Sequence, residues 1–240
     1  MRLLVTRPRP DAERLAAVLE ARGHEAVIEP LLRIEPISSV DIPQRPYQAV
    51  LLTSASAVRI LAGDPALDRL RGLPVLAVGD ATADEAAAAG FATVLSAGGA
   101  VGDLERLVRR ELAPSGGPLL HVSGRVIAGD LAGMLAPDGY EIVRVVAYDA
   151  LAAEELSQAV REDLAAGRID GVLLLSPRTA RTWANLVEAA GLVAAARRLF
   201  HYCLSQAVSE ALAPLVDAGA PQVRIADTPD MASLLSLIDG

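Results

Sequence analysis

The amino-acid sequence predicts an α/β protein built from two similar, doubly wound parallel-sheet domains. Three observations carry this prediction. Short runs of Val, Leu and Ala alternate with stretches of helical periodicity. The runs lack the polar alternation of a half-exposed strand, as expected of strands covered on both faces. The pattern also occurs twice in the same order, and such a repeat has to be settled before a fold is chosen. With 240 residues, 52% of them apolar and 22% charged, the chain has material for one large core or two small ones and none of the signature of disorder.

Taken in order, Leu3–Val5 reads as a strand followed by a helix from near Asp11, and Val50–Leu52 as a strand followed by a helix from near Ser54. Val75–Val78 leads to a helix near Thr82, Leu119–Val122 to one near Ile127, Val172–Leu175 to one near Thr179, and Phe200–Cys203 to one near Gln206. Ser, Thr or Asp stands at a capping position for several of these helices. Weaker strands near Thr93–Leu95 and Val223–Ile225 precede helices around Gly102–Glu111 and Met231–Leu237.

The repeat has three anchors. Val50-Leu51-Leu52-Thr53-Ser54 recurs as Val172-Leu173-Leu174-Leu175-Ser176, Gly23-His24-Glu25 as Gly139-Tyr140-Glu141, and Val78-Gly79-Asp80-Ala81 as Leu204-Ser205-Gln206-Ala207. Each half therefore holds about three β-α units, and the two domains are expected to face each other. Pro114-Ser115-Gly116-Gly117-Pro118 is the most linker-like stretch, with Glu35–Pro46 and Asp149–Glu154 as the other linker candidates. Periodicity does not choose among them.

Composition removes whole classes of chemistry. All 22 basic residues are arginine, so no lysine can form a Schiff base, fill a P-loop or serve a kinase-like site. A lone cysteine, Cys203, forms no disulfide framework, and its apolar strand context marks a buried side chain rather than a reactive thiol. His24, His121 and His201 lack metal-ligand spacing, and no HExxH motif or G-x-S-x-G elbow is present. Gly98–Gly102 does not fit a dinucleotide loop and reads as a turn. No metal and no cofactor are therefore expected. A net charge of −8 with a pI near 4.9 argues against nucleic acid and anionic membranes as partners. No stretch approaches the roughly 18 apolar residues of a membrane span, and a cytoplasmic protein is expected.

In open parallel sheets, ligands bind beyond the carboxyl ends of the strands. The residues there are Thr6-Arg7, Thr53-Ser54-Ala55, Gly79-Asp80-Ala81-Thr82, Ser123-Gly124-Arg125, Ser176 with Arg178, and Ser205-Gln206. Small, hydroxylic and glycine-containing, most of these turns open a helix and offer backbone N–H groups to a carboxylate or phosphate. The alternative is that the hydroxyls only cap helices. Tyr148 ends an extended run, Glu141–Tyr148. Phenols keep their proton at pH 7, so it is a candidate proton donor, with an interdomain packing role as the other reading.

At this point the chain resembles the uroporphyrinogen-III synthase family. The carriers are Val5-Thr6-Arg7-Pro8, Leu52–Val58, Ala77–Ala83, Val145-Val146-Ala147-Tyr148, Leu175–Ala180 and Cys203–Glu210, which span nearly the whole chain in order. The last motif has Ser205-Gln206-Ala207-Val208-Ser209 where some members have Gly-Pro-Thr-Thr-Ala, so no hydroxyl role carries over to Ala207 or Val208. The resemblance implies two flavodoxin-like domains joined by a two-stranded hinge: residues 1–35 with 149–240, and residues 36–148. It implies a cyclising hydro-lyase of tetrapyrrole (haem) biosynthesis that turns hydroxymethylbilane into uroporphyrinogen III, through a spiro-pyrrolenine, with inversion of ring D, loss of water and no cofactor. The substrate bears eight carboxylates, which helix amino ends and Arg7, Arg125 and Arg178 would meet. A monomer in transient contact with the preceding enzyme of the pathway is expected. The rival readings are a non-catalytic two-lobed module that binds an anion and a nucleotide-dependent transferase, for which the chain offers no phosphate loop.

Overall fold

The structure, a computed structural model, describes residues 1–37, 40–127, 129–215 and 221–239. Two residues of the Glu35–Pro46 linker candidate, Ser38 and Ser39, lie outside the described residues. The chain forms two compact units: 1–33 with 151–240, and 34–150. The Pro114–Pro118 stretch lies within the second unit, where Pro114–Gly116 is one 3-10 turn leading into a strand. Proline and glycine mark any tight turn, so this composition did not distinguish a turn inside a unit from a link between units.

The first unit contains β1 (Arg2–Val5), α1 (Arg9–Ala21) and β2 (Glu25–Ile28). The chain then passes through β3 (Leu32–Pro36) into the second unit, with β4 (Ala49–Leu52), α2 (Ala55–Ala62), α3 (Leu67–Leu70), β5 (Val75–Ala77) and α4 (Asp80–Ala88). There follow β6 (Val94–Ser96), α5 (Val101–Glu111), β7 (Leu119–Gly124), α6 (Leu131–Leu135) and β8 (Ile142–Ala152). Back in the first unit are α7 (Gln158–Ala165), β9 (Gly171–Leu174), α8 (Pro177–Ala189), α9 (Val193–Ala196), β10 (Phe200–Cys203), α10 (Gln206–Glu210), β11 (Gln222–Ile225) and α11 (Met231–Asp239).

The first unit's five-stranded sheet runs β2-β1-β9-β10-β11, parallel throughout. Counted within the unit this is the order 2-1-3-4-5 of flavodoxin-like sheets, whose switch point lies between β1 and β9. The second unit's sheet runs β3-β8-β7-β4-β5-β6, parallel from β8 to β6, with its switch point between β4 and β7. The runs that read most clearly as strands, in β1, β4, β5, β7, β9 and β10, lie inside the sheets and are almost wholly buried. The weaker ones, β6 and β11, are partly exposed edge strands. Edge strand β2, also partly exposed, is absent from the predicted strands: it has only four residues and opens on the exposed Glu25, so it carries little apolar signal.

Alternate residues of each strand enter different cores. Leu4, Val172, Leu174 and Cys203 pack with Val160 and Leu164 of α7 and Trp183 and Val187 of α8; Leu3, Val5, Leu173 and Tyr202 pack with α1 and α11. In the second unit Val50, Leu52, Leu120 and Val122 meet α2, α3 and α4, while Ala49, Leu51, Leu76 and Leu119 meet α5 and α6. Helices thus cover both faces of both sheets. One predicted helix start is corrected. The helix expected near Ile127 begins at Leu131, because Asp130 accepts from Gly133 N–H and so fixes the amino end there. Ala128 lies outside the described residues.

Gly171 shows how tightly the first sheet is filled. A Cβ there would sit 2.7 Å from Tyr202 Cε2, 3.1 Å from Phe200 O and 3.2 Å from Leu3 Cδ2. Gly171→Ala should therefore cost about 1–3 kcal/mol, the usual penalty of overpacking. A urea midpoint equal to the parent's would contradict it.

Candidate active site

The carboxyl ends of the strands are where polar side chains collect, and each unit is described by itself. In the first unit Thr6 follows β1 and is fully buried; its hydroxyl donates to Leu173 O at 2.7 Å and its carbonyl accepts from Leu31 N–H. Its polar side chain serves as a staple between β1 and β9, so the hydroxyl is not offered to a ligand. Arg7 is half-buried, and its Nη2 donates to Asp11 Oδ2 at 3.2 Å, one turn into α1. Ser176 caps α8 by accepting from Thr179 N–H, its hydroxyl 2.8 Å from that of Thr179, and Arg178 stands in the first turn of α8. Ser205 precedes α10 without a side-chain cap bond, and Gln206 donates from Nε2 to Glu210 Oε1 at 3.2 Å.

In the second unit Ser54 caps α2, accepting from Ala57 N–H at 3.1 Å, with Ala55 buried behind it. The same hydroxyl lies 2.8 Å from Tyr148 OH. Tyr148, 9% exposed, is seated by its neighbours: the register of β7 with β8 slips between Ser123 and Gly124, bringing Gly124 opposite Tyr148. A Cβ on Gly124 would be 2.8 Å from two ring carbons and 3.1 Å from the hydroxyl oxygen. Glycine is thus required for the ring to lie there. Arg125 remains zipped to β8 through its N–H to Tyr148 O, and its Nε donates to Asp149 Oδ2 at 3.0 Å.

Gly79 opens α4 without a side-chain cap, leaving the first-turn N–H groups of Asp80 and Ala81 to other partners. A Cβ at Gly79 would come within 3.2 Å of Gly99 Cα, where the turn of Gly98 and Gly99 crosses. Asp80's carboxylate accepts from Ser96 Oγ at 2.6 Å, so its side chain faces a hydroxyl donor while its N–H lies at the helix end. Thr82 and Ser123 are buried. Two groups at these ends are not among the site residues that the sequence predicts. His121, 2% exposed, has its Nε2 3.3 Å from Thr53 Oγ1, beside the switch point. Arg144 reaches Ser123 Oγ, Gly124 O and Arg125 O. Its signal was present: it is the only charge within Ile142–Ala147.

Burial sets the state of two histidines. Desolvation, then the nearby Arg144 charge, lowers the pKa of His121 to about 4. Desolvation also lowers His201 to about 4, against the opposing backbone bonds of Leu199 and Gln222. His201 accepts from Trp183 Nε1 at 3.2 Å, and its Nδ1 faces Leu199 O at 3.2 Å, a neutral ring with both nitrogens occupied. Burial raises the Cys203 thiol to about 12, in keeping with a packing role. Among the described residues no cluster of three or more His, Cys, Asp or Glu could hold a metal ion, and no helix is long and apolar enough to cross a membrane.

Fold and strand ends together define an α/β protein of two parallel-sheet units with its polar groups gathered at the carboxyl ends of the strands. The family model of uroporphyrinogen-III synthase HemD matches residues 13–236, and the chain belongs to that family. A uroporphyrinogen-III synthase of Chlorobaculum parvum is 28% identical over 200 residues, which cover 79% of each chain. Among solved structures, uroporphyrinogen-III synthetase from Helicobacter pylori aligns over 99% of this chain and 98% of its own, with a TM-score of 0.62 and 17% identity. A mutant uroporphyrinogen III synthase from Thermus thermophilus aligns over 100% and 97%, with a TM-score of 0.53 and 18% identity. These two structures bear on the fold. None of these relatives points to a non-catalytic anion-binding module.

The depressed histidines give a pH dependence of definite sign. Below pH 6.5 the unfolded chain takes up protons at both rings while the folded chain does not, so stability falls as pH drops from 6.5 towards 4. Urea midpoints across that interval, with imidazole resonances followed in parallel, should show the fall while both rings stay neutral. Protonation of either ring near pH 6.5 in the folded protein would refute the assignment.

Proposed function

We propose that this chain is a uroporphyrinogen-III synthase, a cyclising hydro-lyase of tetrapyrrole (haem) biosynthesis that needs no cofactor. The observation that carries the reading is the family match across residues 13–236. The substrate is hydroxymethylbilane. Its terminal C–O bond breaks, the hydroxyl leaves as water, and the resulting azafulvenium carbon is attacked by the substituted carbon of ring D. The spiro-pyrrolenine so formed fragments and recombines with ring D inverted, and loss of a proton completes uroporphyrinogen III. Spontaneous closure gives the uninverted isomer, so the protein's task is chiefly to hold one conformation.

In this reading Tyr148 donates the proton that turns the departing hydroxyl into water. Ser54 supports it: its hydroxyl, fixed by the Ala57 N–H of the α2 cap, holds the phenol from 2.8 Å. Within the second unit the amino end of α4, which lacks a side-chain cap, and Arg125 suit carboxylates of the substrate, and within the first unit Arg7 and Arg178 do. Arg7 and Arg125 already face Asp11 and Asp149, which cancels part of their charge. The backbone donors therefore supply much of the attraction. Thr53 and Ser176 complete the two switch points.

The first test is direct: incubation with freshly made hydroxymethylbilane should give mainly isomer III, with the rate unaffected by prior dialysis against a chelator. Isomer I alone, or a rate restored only by added metal, would refute the proposal. The second concerns roles. Tyr148→Phe should lower kcat by about 10²–10⁴-fold with little change in KM, as loss of general acid assistance predicts. Arg7→Ala should mainly raise KM, because a carboxylate contact acts on ground and transition states alike. A Tyr148→Phe enzyme at full rate ends the acid assignment.

A further inference from the structure

Proton donation by Tyr148 requires that its ring be held in place. The end of β7 is an unfavourable support. Where the register slips between Ser123 and Gly124, the ladder to β8 is broken, and a broken ladder leaves backbone groups that need other partners. One side chain supplies them. Arg144 lies opposite His121 in the register and reaches diagonally along β7. Its Nε donates to Ser123 Oγ at 3.0 Å, and its Nη2 donates to Gly124 O at 2.7 Å and to Arg125 O at 2.8 Å.

Three bonds from one planar group fix both the position and the direction of the turn, which a lysine ammonium on a flexible stem would not do. The turn so fixed is the surface on which Tyr148 lies, since only the missing Cβ of Gly124 makes room for its ring. Ser54 then sets the hydroxyl at that same end of the ring. The Arg144 charge is directed at a hydroxyl and two carbonyls, and among the described residues no carboxylate pairs with it. Arg125, next to the same turn, pairs instead with Asp149.

We propose that Arg144 is a positioning residue, clamping the slipped end of β7 so that Gly124 seats Tyr148 in the one place from which it can serve the substrate. The proposal rests on the function proposed above. It differs from a carboxylate-binding role in a measurable way, because clamping needs the forked guanidinium whereas attraction of a carboxylate needs only the charge.

The experiment compares the full-length parent with R144K, R144Q, Y148F and the double variant R144K/Y148F, measuring kcat, KM and the share of isomer I with hydroxymethylbilane. A misplacement of about 1 Å can cost up to about 10²-fold in rate. R144K and R144Q should both lower kcat by up to about that factor, raise the share of isomer I and leave KM nearly unchanged. R144K should add little to the loss already caused by Y148F, because both act on one step. R144K at full rate, a defect confined to KM and restored in R144K, or losses that multiply in the double variant would each overturn the proposal. If R144Q does not fold, R144K carries the test. A parent that yields only isomer I overturns the function but not the clamp, which is then read by NMR. Tyr148 ring resonances should move in R144K while those of Tyr202, in the other unit, stay. Unmoved Tyr148 resonances overturn the clamp whether or not the protein is active.

Discussion

A parallel sheet covered by helices on both faces leaves almost no place for polar side chains except at the strand ends, and the rest of this protein follows from that constraint. The four residues of β4 and of β9 are all buried, and their side chains alternate between two apolar cores. A polar group inside such a strand has to be satisfied on the spot. His201 is held between the Trp183 indole and the Leu199 carbonyl, and Ser123 is held by Arg144. At the carboxyl ends the strands stop, helices begin, and hydroxyls and backbone N–H groups can meet solvent or a ligand.

Charge is handled the same way. The protein is acidic overall, with arginine as its only cation at neutral pH apart from the amino terminus. Several arginines near the strand ends have acidic or backbone partners, Arg7 with Asp11 and Arg125 with Asp149. Such pairs bring little net charge but hold turns in place, because a planar guanidinium makes several directed bonds at once. The surroundings of Tyr148 follow this logic: Gly124 gives space, Ser54 gives a partner, and Arg144 gives the turn its fixed course.

Reading hydroxyls from sequence gave a mixed result for a physical reason. Thr6, Thr53, Ser54, Ser176 and Ser205 follow strands and Ser123 stands next to last in β7, yet Thr6 and Ser123 turn inward, Ser54 and Ser176 cap helices, and Ser205 caps nothing with its side chain. A hydroxyl takes whichever unsatisfied partner lies nearest, and the neighbouring strand that supplies it can be more than a hundred residues away, as Leu173 is from Thr6. The capping alternative therefore holds for two of these residues, and Ser54 caps a helix while also holding Tyr148.

The sequence by itself determined the α/β class, the central strands and most helix starts, because these depend on local periodicity and on apolar runs long enough to fill two cores. It also read Tyr148 as the end of an extended run, whereas β8 continues to Ala152, because pairing with its neighbours and not apolar character decides where a strand stops. It did not determine β2, whose exposed edge weakens the apolar signal, or the start of α6, which the Asp130 cap decides. Composition by itself did not determine that Pro114–Gly117 is a turn inside a unit, since proline and glycine look alike in both settings. Only the tertiary structure revealed the strand order, the register slip at Gly124 and the reach of Arg144 to the turn beside it. These are pairings between distant segments, fixed by which backbone groups are left unsatisfied once the strands have come together, and no local pattern carries that information.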